Sequence, residues 1–220
     1  MLELTTSNSR PQVRIVILGS GGHARASLEV LRESPEVEIC GCLAPDGTDV
    51  AGVPVIGSDS SLAQMAGEGI EGAFVAVGKN ELRKQLMEKV LACGLRLITT
   101  VSQSARVAPD VHLGAGTIVM PGAILRTGAV VGDGVIINSG AIVDHDARIG
   151  SWSHIGPGAA LAGGVTLMEG AFLGVGCKVI PDVTIGAWSI VGAGSVALRN
   201  IPSGVTAVGS PARIIRSCLQ

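Results

Sequence analysis

The chain has 220 residues, 47% of them hydrophobic yet only 2% aromatic, with 32 glycines and no tyrosine. Such an aliphatic content excludes a disordered chain, and a supply of rings limited to Phe74, Trp152, Phe172 and Trp188 excludes a surface that stacks nucleic-acid bases. With 16 basic and 18 acidic residues the formal net charge is −2, which excludes electrostatic binding to nucleic acid or to a membrane surface.

Residues 1–12 read as a polar tail with no basic-then-apolar leader. The strictly apolar runs, such as residues 15–18, are far short of the roughly 18 residues of a membrane span. A cytoplasmic protein is expected. Residues 13–18 form a β-branched run ending at Gly19, as in a buried parallel strand. Residues 24–33 carry Ala, Leu and Glu at helical spacing and stop at Ser34-Pro35. Residues 37–43 predict a second strand, 58–61 a cap for a helix from Leu62, and 72–77 a third strand. Asn80 is expected to cap a helix running to about Cys93 and ended by Gly94, and residues 95–98 to form a fourth strand. Strand and helix in alternation predict a small Rossmann-like α/β domain with a parallel sheet over residues 13–99. The five cysteines, Cys40, Cys42, Cys93, Cys177 and Cys218, are expected as buried reduced thiols, because Cys40-Gly-Cys42 has neither metal nor redox spacing.

A different grammar begins near residue 100. Stepping by six from Val107 meets Leu, Ile or Val without a break: Leu113, Val119, Leu125, Val131, Ile137, Val143, Ile149, Ile155, Leu161, Leu167, Leu173, Val179, Ile185, Val191. Four places into many of these hexads sits a small or β-branched residue, among them Thr117, Ala123, Ala129, Ala141, Ala147, Ser153 and Ala159. A six-residue period belongs to a parallel β-helix, one side of a triangular coil per hexad, with about 18 residues to a coil. Over residues 105–215 the large and small residues are expected to point inward and stack on their equivalents one coil away. No hexad is interrupted, so function must come from the coil surface, the domain in front and neighbouring subunits.

Two places carry chemistry. His145 lies two positions after inward Val143, hence at an exposed corner, and both Asp144 and Asp146 are placed to fix its tautomer and favour its protonated form. His154 precedes inward Ile155 and points outward on the next face, and the N–H of Gly163, one coil beyond His145, is a candidate for stabilising an oxyanion. His112 reads as a surface residue. Near the start, Gly19-Ser-Gly-Gly-His-Ala24 fits the G-x-G-x-x-A fingerprint, whose amides at a helix N-terminus bind phosphate whatever it is attached to. A dinucleotide site also wants an acidic residue about 20 positions on, where Ala44-Pro45 stand, so a diphosphate-sugar suits this loop better than NAD.

The chain resembles the bacterial sugar acetyltransferases of the sialic-acid and bacillosamine type, within the left-handed β-helix acyltransferases. The resemblance rests in front on Leu18-Gly-Ser-Gly-Gly-His-Ala-Arg25 and Val77-Gly-Lys-Asn80. Behind, it rests on Ile137-Asn-Ser-Gly-Ala141, Val143-Asp-His-Asp146, His154-Ile-Gly-Pro-Gly158 and Gly209-Ser-Pro-Ala-Arg213. It implies a homotrimer in which acetyl-CoA lies along the left-handed β-helix between two subunits and the α/β domain holds a nucleotide-linked amino sugar. It implies His145 as catalytic base with Asp146 raising its basicity, His154, Val175 and Ala193 as acetyl-CoA contacts, and Gly21, Gly22, His23 and Gly78 around the sugar nucleotide. One departure stands out: such proteins usually carry an acidic pair after the second strand, and this chain has Leu43-Ala-Pro45 with Asp46 late, which puts the identity of the nucleotide in doubt.

The expected function is therefore direct transfer of acetyl from acetyl-CoA to the amino group of a nucleotide sugar, with sugar O-acetylation as the alternative and no metal. Two other classes compete. A zinc lyase resembling gamma carbonic anhydrases would need His112, His145 and His154 to converge, and their separations are not multiples of 18. A sugar-nucleotide binder using the coil only to trimerise would be indifferent to His145.

Overall fold

The computed structural model describes residues 12–217 except Thr48, so the polar tail before Gln12 and Cys218 lie outside the described residues. The chain opens with β1 (Val13–Leu18), whose last four residues are buried, and continues through α1 (Gly22–Leu31), β2 (Val37–Leu43), β3 (Asp49–Val50) and β4 (Val53–Gly57). Then come α2 (Leu62–Gly67), β5 (Gly72–Val75), α3 (Asn80–Ala92) and β6 (Arg96–Leu97). The sheet order is β3-β4-β2-β1-β5-β6, parallel except for the β3–β4 pair.

Several local expectations need correction. Nothing in the sequence reading corresponds to β3 and β4, which are joined at Ala51-Gly52 with φ of 51° and 83°. Two positive φ angles make the turn that a hairpin favours, but Ala replaces the usual Asn or Asp and hides the signal. The 58–61 stretch makes no side-chain cap; Ser58 and Ser60 hydroxyls bond each other at 2.7 Å beside a short 3-10 turn at Asp59–Ser61. Lys79 occupies the N-cap position of α3, and Asn80 is its first helical residue. The third strand ends at Val75 instead of 77, since the Val77 and Gly78 carbonyls turn away from the sheet to accept from Arg83. Cys42 and Cys177 are buried, whereas Cys40 and Cys93 are only partly so; all four are free thiols.

The β-helix begins with Thr100–Val101, which pairs with Ile118–Val119, so its first strand lies ahead of residue 105. Each strand bonds in parallel to its equivalents 18 residues away, for instance Ile136 to Ile118 and to His154. Three faces result. The first carries Ile118–Val119, Ile136–Ile137, His154–Ile155, Phe172–Leu173 and Ile190–Val191; the second carries Ile142–Val143 and Ala160–Leu161; the third carries Arg148–Ile149 and Thr166–Leu167. The inward columns form the core the hexads predict, with Ile137, Val143, Ile155, Ala141 and Ala159 fully buried. At the tail, Val205–Val208 extends the first face and Arg213–Ser217 returns antiparallel to it, with Ile201, Ala207 and Ala212 closing the core.

The corners alternate. Glycines with φ near +65° recur at the turn, but Asp146, Trp152, Asp182 and Trp188 hold the same left-handed conformation at φ of 55–61°. Each of these side chains leans over the glycine one coil earlier: Asp146 over Gly128, Trp152 over Gly134, Asp182 over Gly164 and Trp188 over Gly170.

The α/β domain packs on the first face. Ile118 and Ile136 point out of the coil yet are 0% and 1% exposed, because they join the cluster formed by Ile15, Leu28 and Phe74. The equivalent outward Ile142 on the second face is 39% exposed. Glu33 at the end of α1 fastens the junction, accepting from Ser102 Oγ at 3.0 Å and from the Gln103 N–H at 2.6 Å. Among the described residues no helix is long and apolar enough to cross a membrane.

We expect Ile136→Ala to lower unfolding free energy by about 2–5 kcal/mol, as for a buried aliphatic side chain. An outward residue on an uncovered face would tolerate the change within about 0.5 kcal/mol. Urea denaturation followed by circular dichroism decides between the two.

Candidate active site

In the α/β domain the chain runs from β1 to β2 on one side and later returns to β5 on the other, so the order reverses between β1 and β5. Ligands of open α/β sheets bind at this point, beyond the carboxyl ends of the strands. The two loops there touch: Gly19, at φ 121°, approaches the Ala76 carbonyl too closely for any side chain. Gly21 is the N-cap of α1 with no side-chain cap and no acidic residue in the first turn, and around Gly21 and Gly78 the space is open. The Gly22 and His23 amides start this ten-residue helix, the kind of end that can bind an anion.

Directly beneath lies a cluster built from both domains. His154 points outward from the first face, as its place in the hexad predicts, but the α/β domain covers it. Its ring centroid is 6.4 Å from that of His23 and 5.0 Å from that of Phe172, and its Nδ1 lies 3.3 Å from the Gly78 carbonyl. Burial first, and the Arg83 charge second, depress both His23 and His154 to about 4. His23 Nε2 is buried without a partner among the described residues. A cleft of about 500 Å³ opens next to this cluster, between Gly78, Lys79, Asn80 and Glu81 on one side and Phe172, Trp188 and Ile190 on the other.

His145 and Asp146 stand apart, at the corner between the second and third faces. Their side chains are 57% and 73% exposed. His145 Nδ1–H donates to Asp146 Oδ2 at 2.9 Å, whereas Asp144 Oδ1 accepts the backbone N–H of His145 at 2.8 Å. The choice between the two aspartates, open in the sequence, is made by the backbone: the left-handed turn at Asp146 swings its carboxylate back to the ring. The Asp146 hydrogen bond, with the charges of both aspartates, raises the His145 pKa above the ordinary histidine value; slight burial and Arg126 oppose this. Nε2 makes no hydrogen bond among the described residues. The ring lies over Gly163, where a methyl group would overlap Cε1 and Nε2. An imidazole so held can take a proton at Nε2 while a carboxylate supports the cation that forms.

Val175 and Ala193 occupy a third location, stacked one coil apart at the corner between the first and second faces; Val175 is 58% exposed, and its carbonyl accepts the Gly194 N–H at 2.8 Å. The fold thus brings Gly21, Gly22, His23, Gly78 and His154 together, and leaves the His145–Asp146 pair and the Val175–Ala193 column on separate corners. Three residues of the cluster escaped the sequence reading: Asn138, whose Nδ2 is 3.2 Å from His154 Nε2; Asn80, which donates to the Gly170 carbonyl at 3.0 Å; and Arg83. Asn138 and Asn80 lie inside motifs that were visible; Arg83 gave no signal. Among the described residues no group of three or more His, Cys, Asp or Glu side chains is placed to hold a metal ion.

The PglD N-terminal domain family matches residues 14–90, and the bacterial transferase hexapeptide (six repeats) family matches residues 128–163. PerB of Caulobacter crescentus, solved in complex with CoA and GDP-perosamine, is 47% identical with a TM-score of 0.89; the match covers 91% of this chain and 96% of that one. A histidine-to-asparagine variant of perosamine N-acetyltransferase from that organism, with the same ligands, matches at 46% identity, a TM-score of 0.89 and the same coverage. The chain belongs to the sugar N-acetyltransferase family with a left-handed β-helix. The acetyltransferase domain of PglB from Neisseria gonorrhoeae FA1090, solved with acetyl coenzyme A, is 34% identical with a TM-score of 0.89, over 93% of this chain and 100% of that domain. This membership makes the chain an acyltransferase and removes the lyase and the passive binder as readings.

Gly163 lies outside the left-handed φ region, and the nearest atoms an added methyl group would meet are those of the His145 ring. We expect Gly163→Ala to leave the melting temperature within about 2 °C and to cut kcat/KM at least about tenfold, as for a displaced catalytic group. Unchanged turnover would show that the position of the imidazole is not critical.

Proposed function

We propose that this acyltransferase moves acetyl from acetyl-CoA directly to the amino group of a nucleotide-linked amino sugar, with His145 as general base. The observation that carries this reading is the His145–Asp146 pair, with Nδ1–H engaged on a carboxylate and Nε2 open to solvent over Gly163. As the neutral amine attacks the thioester carbonyl, Nε2 takes its proton; the tetrahedral oxyanion then collapses, and the imidazolium returns a proton to the departing thiolate. Asp146 orients the ring and stabilises its cation. The N–H of Gly163, the residue under the His145 ring, is our candidate for the oxyanion donor. Direct transfer is favoured because no serine or cysteine hydrogen-bonds His145 among the described residues, and Cys177 is sealed in the coil core with its thiol pushed up by burial to about 11.

The acceptor's phosphates are assigned to the amides of Gly21, Gly22 and His23, with Gly78 beside them. His154, Val175 and Ala193 are assigned to acetyl-CoA. Because one chain separates these groups from His145, we assign the working site to the boundary between copies of a homotrimer, where the corner of one chain meets the α/β domain of the next. A GDP-linked amino sugar is the first acceptor to test, given the ligand of PerB.

CoA release from acetyl-CoA, measured across GDP-, UDP-, CMP- and TDP-linked amino sugars, tests the reaction, and hydroxylamine stability of the product separates amide from ester. We expect His145→Ala to lose about 10²–10⁴-fold in turnover; release with no acceptor, or an unaffected mutant, overturns the reading. A base works when neutral, so activity should fall as pH drops through the His145 pKa, and that limb should lie above the ordinary value near 6.5. Asp146→Asn removes the main raising interaction and should move the limb to lower pH. Light scattering giving a monomer would count against a shared site.

A further inference from the structure

Arg83 is a cation buried without an anion. It sits inside α3 at 1% exposure, and no carboxylate pairs with it among the described residues. Taking a guanidinium out of water is unfavourable unless each N–H is bonded, and here backbone carbonyls do nearly all of that. Nε donates to the Gly134 carbonyl at 2.7 Å, Nη1 to those of Val77 and Gly78 at 3.1 Å each, and Nη2 to those of Trp152 and Ser153 at 2.7 and 3.2 Å, with Asn80 Oδ1 at 2.9 Å. One planar fork therefore ties the loop after β5 to two successive coils.

The tie continues through a chain of polar groups. The Gly78 carbonyl, held by Arg83, can only accept, so the His154 nitrogen 3.3 Å away, Nδ1, carries the proton. Asn138 Oδ1 accepts the Ser139 N–H at 2.8 Å, which turns its Nδ2 toward His154 Nε2 at 3.2 Å and leaves Nε2 as the acceptor. Both ends of the ring agree on one tautomer. We propose that Arg83 is a positioning residue: it fixes the Gly78 carbonyl, and through it the orientation and tautomer of His154, so that the nucleotide-sugar loop is held in register with the coil. His23 and Arg83 are the titratable groups that act on His154, and the guanidinium charge opposes its protonation. The functional meaning rests on the reading of the Gly78 loop above; the tautomer does not.

The test begins on the wild-type full chain. Nitrogen-15 NMR, with the His154 signals assigned by their loss in His154→Gln, should show the neutral Nδ1–H form at pH 7 and titration only near pH 4. The Nε2–H tautomer or an imidazolium at pH 7 would overturn the proposal even if no Arg83 variant folds. In Arg83→Met the titration of His154 should move upward, and KM should rise at least about fivefold both for the nucleotide sugar and for acetyl-CoA, to which His154 is assigned. Arg83→Lys restores the charge but not the fork, so it should return the low titration without the low KM. A folded Arg83→Met protein that is less stable, but keeps the wild-type tautomer and both KM values, would reduce Arg83 to a structural residue and overturn the proposal. Absence of activity toward every nucleotide sugar would sink the functional reading alone, since the NMR measurement needs no substrate.

Discussion

The hydrogen-bond ladder between successive coils is the constraint on which the rest depends. Each strand of the β-helix bonds to the residues 18 positions before and after it, as Ile136 does with Ile118 and His154. Sequence position therefore dictates location on the prism: residues 18 apart share a column, and residues six apart move to the next face. His145 and Gly163 are stacked for this reason, and so are Val175 and Ala193. The same rule puts His145 and His154, nine apart, on a corner and a face that do not coincide. The coil holds the His145 ring without any special packing, because a glycine one coil on provides the floor and a left-handed turn provides the partner carboxylate.

The inward columns were fully legible in the sequence, since burial inside a coil is repeated at every hexad and leaves a periodic trace. Outward positions leave none. Ile118 and Ile136 have the same hexad place as Ile142, and only the sheet domain lying on the first face makes the first two buried and the third exposed. His154 follows the same rule: the hexad gives its outward direction but not the α/β domain that covers it. Arg83 was invisible because Asn80-Glu-Leu-Arg83 reads as a solvated helix start, and no local pattern shows that α3 turns that side to the coil. The two aspartates flanking His145 were equivalent on paper; they differ by one backbone angle, 59° at Asp146, at a position where the coil otherwise uses mostly glycine.

Three histidines around the site illustrate how one side chain is divided between roles by its environment. His23 and His154 lie under two domains, lose the solvent that would stabilise their cations and face a buried guanidinium, so both stay neutral far below physiological pH. They can donate, accept and pack, but are too weakly basic to draw a proton from an attacking amine. His145 is open to water and hydrogen-bonded to a carboxylate, which shifts its affinity for protons the other way. On the proposed mechanism, proton affinity is raised at the histidine that would take the proton and suppressed where an extra positive charge would disturb the loop geometry.

This division also bears on why we place the proposed site between chains. A proton can be transferred only between atoms in hydrogen-bond contact, yet the fold commits the anion-binding end of α1 to the first face and the basic corner to the edge between the second and third. A rigid coil cannot bend to close that gap, and no uninterrupted hexad supplies a loop long enough to bridge it. Assembly is the route we propose. In a homotrimer of such prisms the corner of one chain would meet the α/β domain of the next, and acceptor and base would come from different chains. On that proposal a buried arginine that fixes the register between domain and coil would matter twice over: an error in placing the Gly78 loop on its own coil would be carried into the distance between the sugar's amine and the neighbour's imidazole.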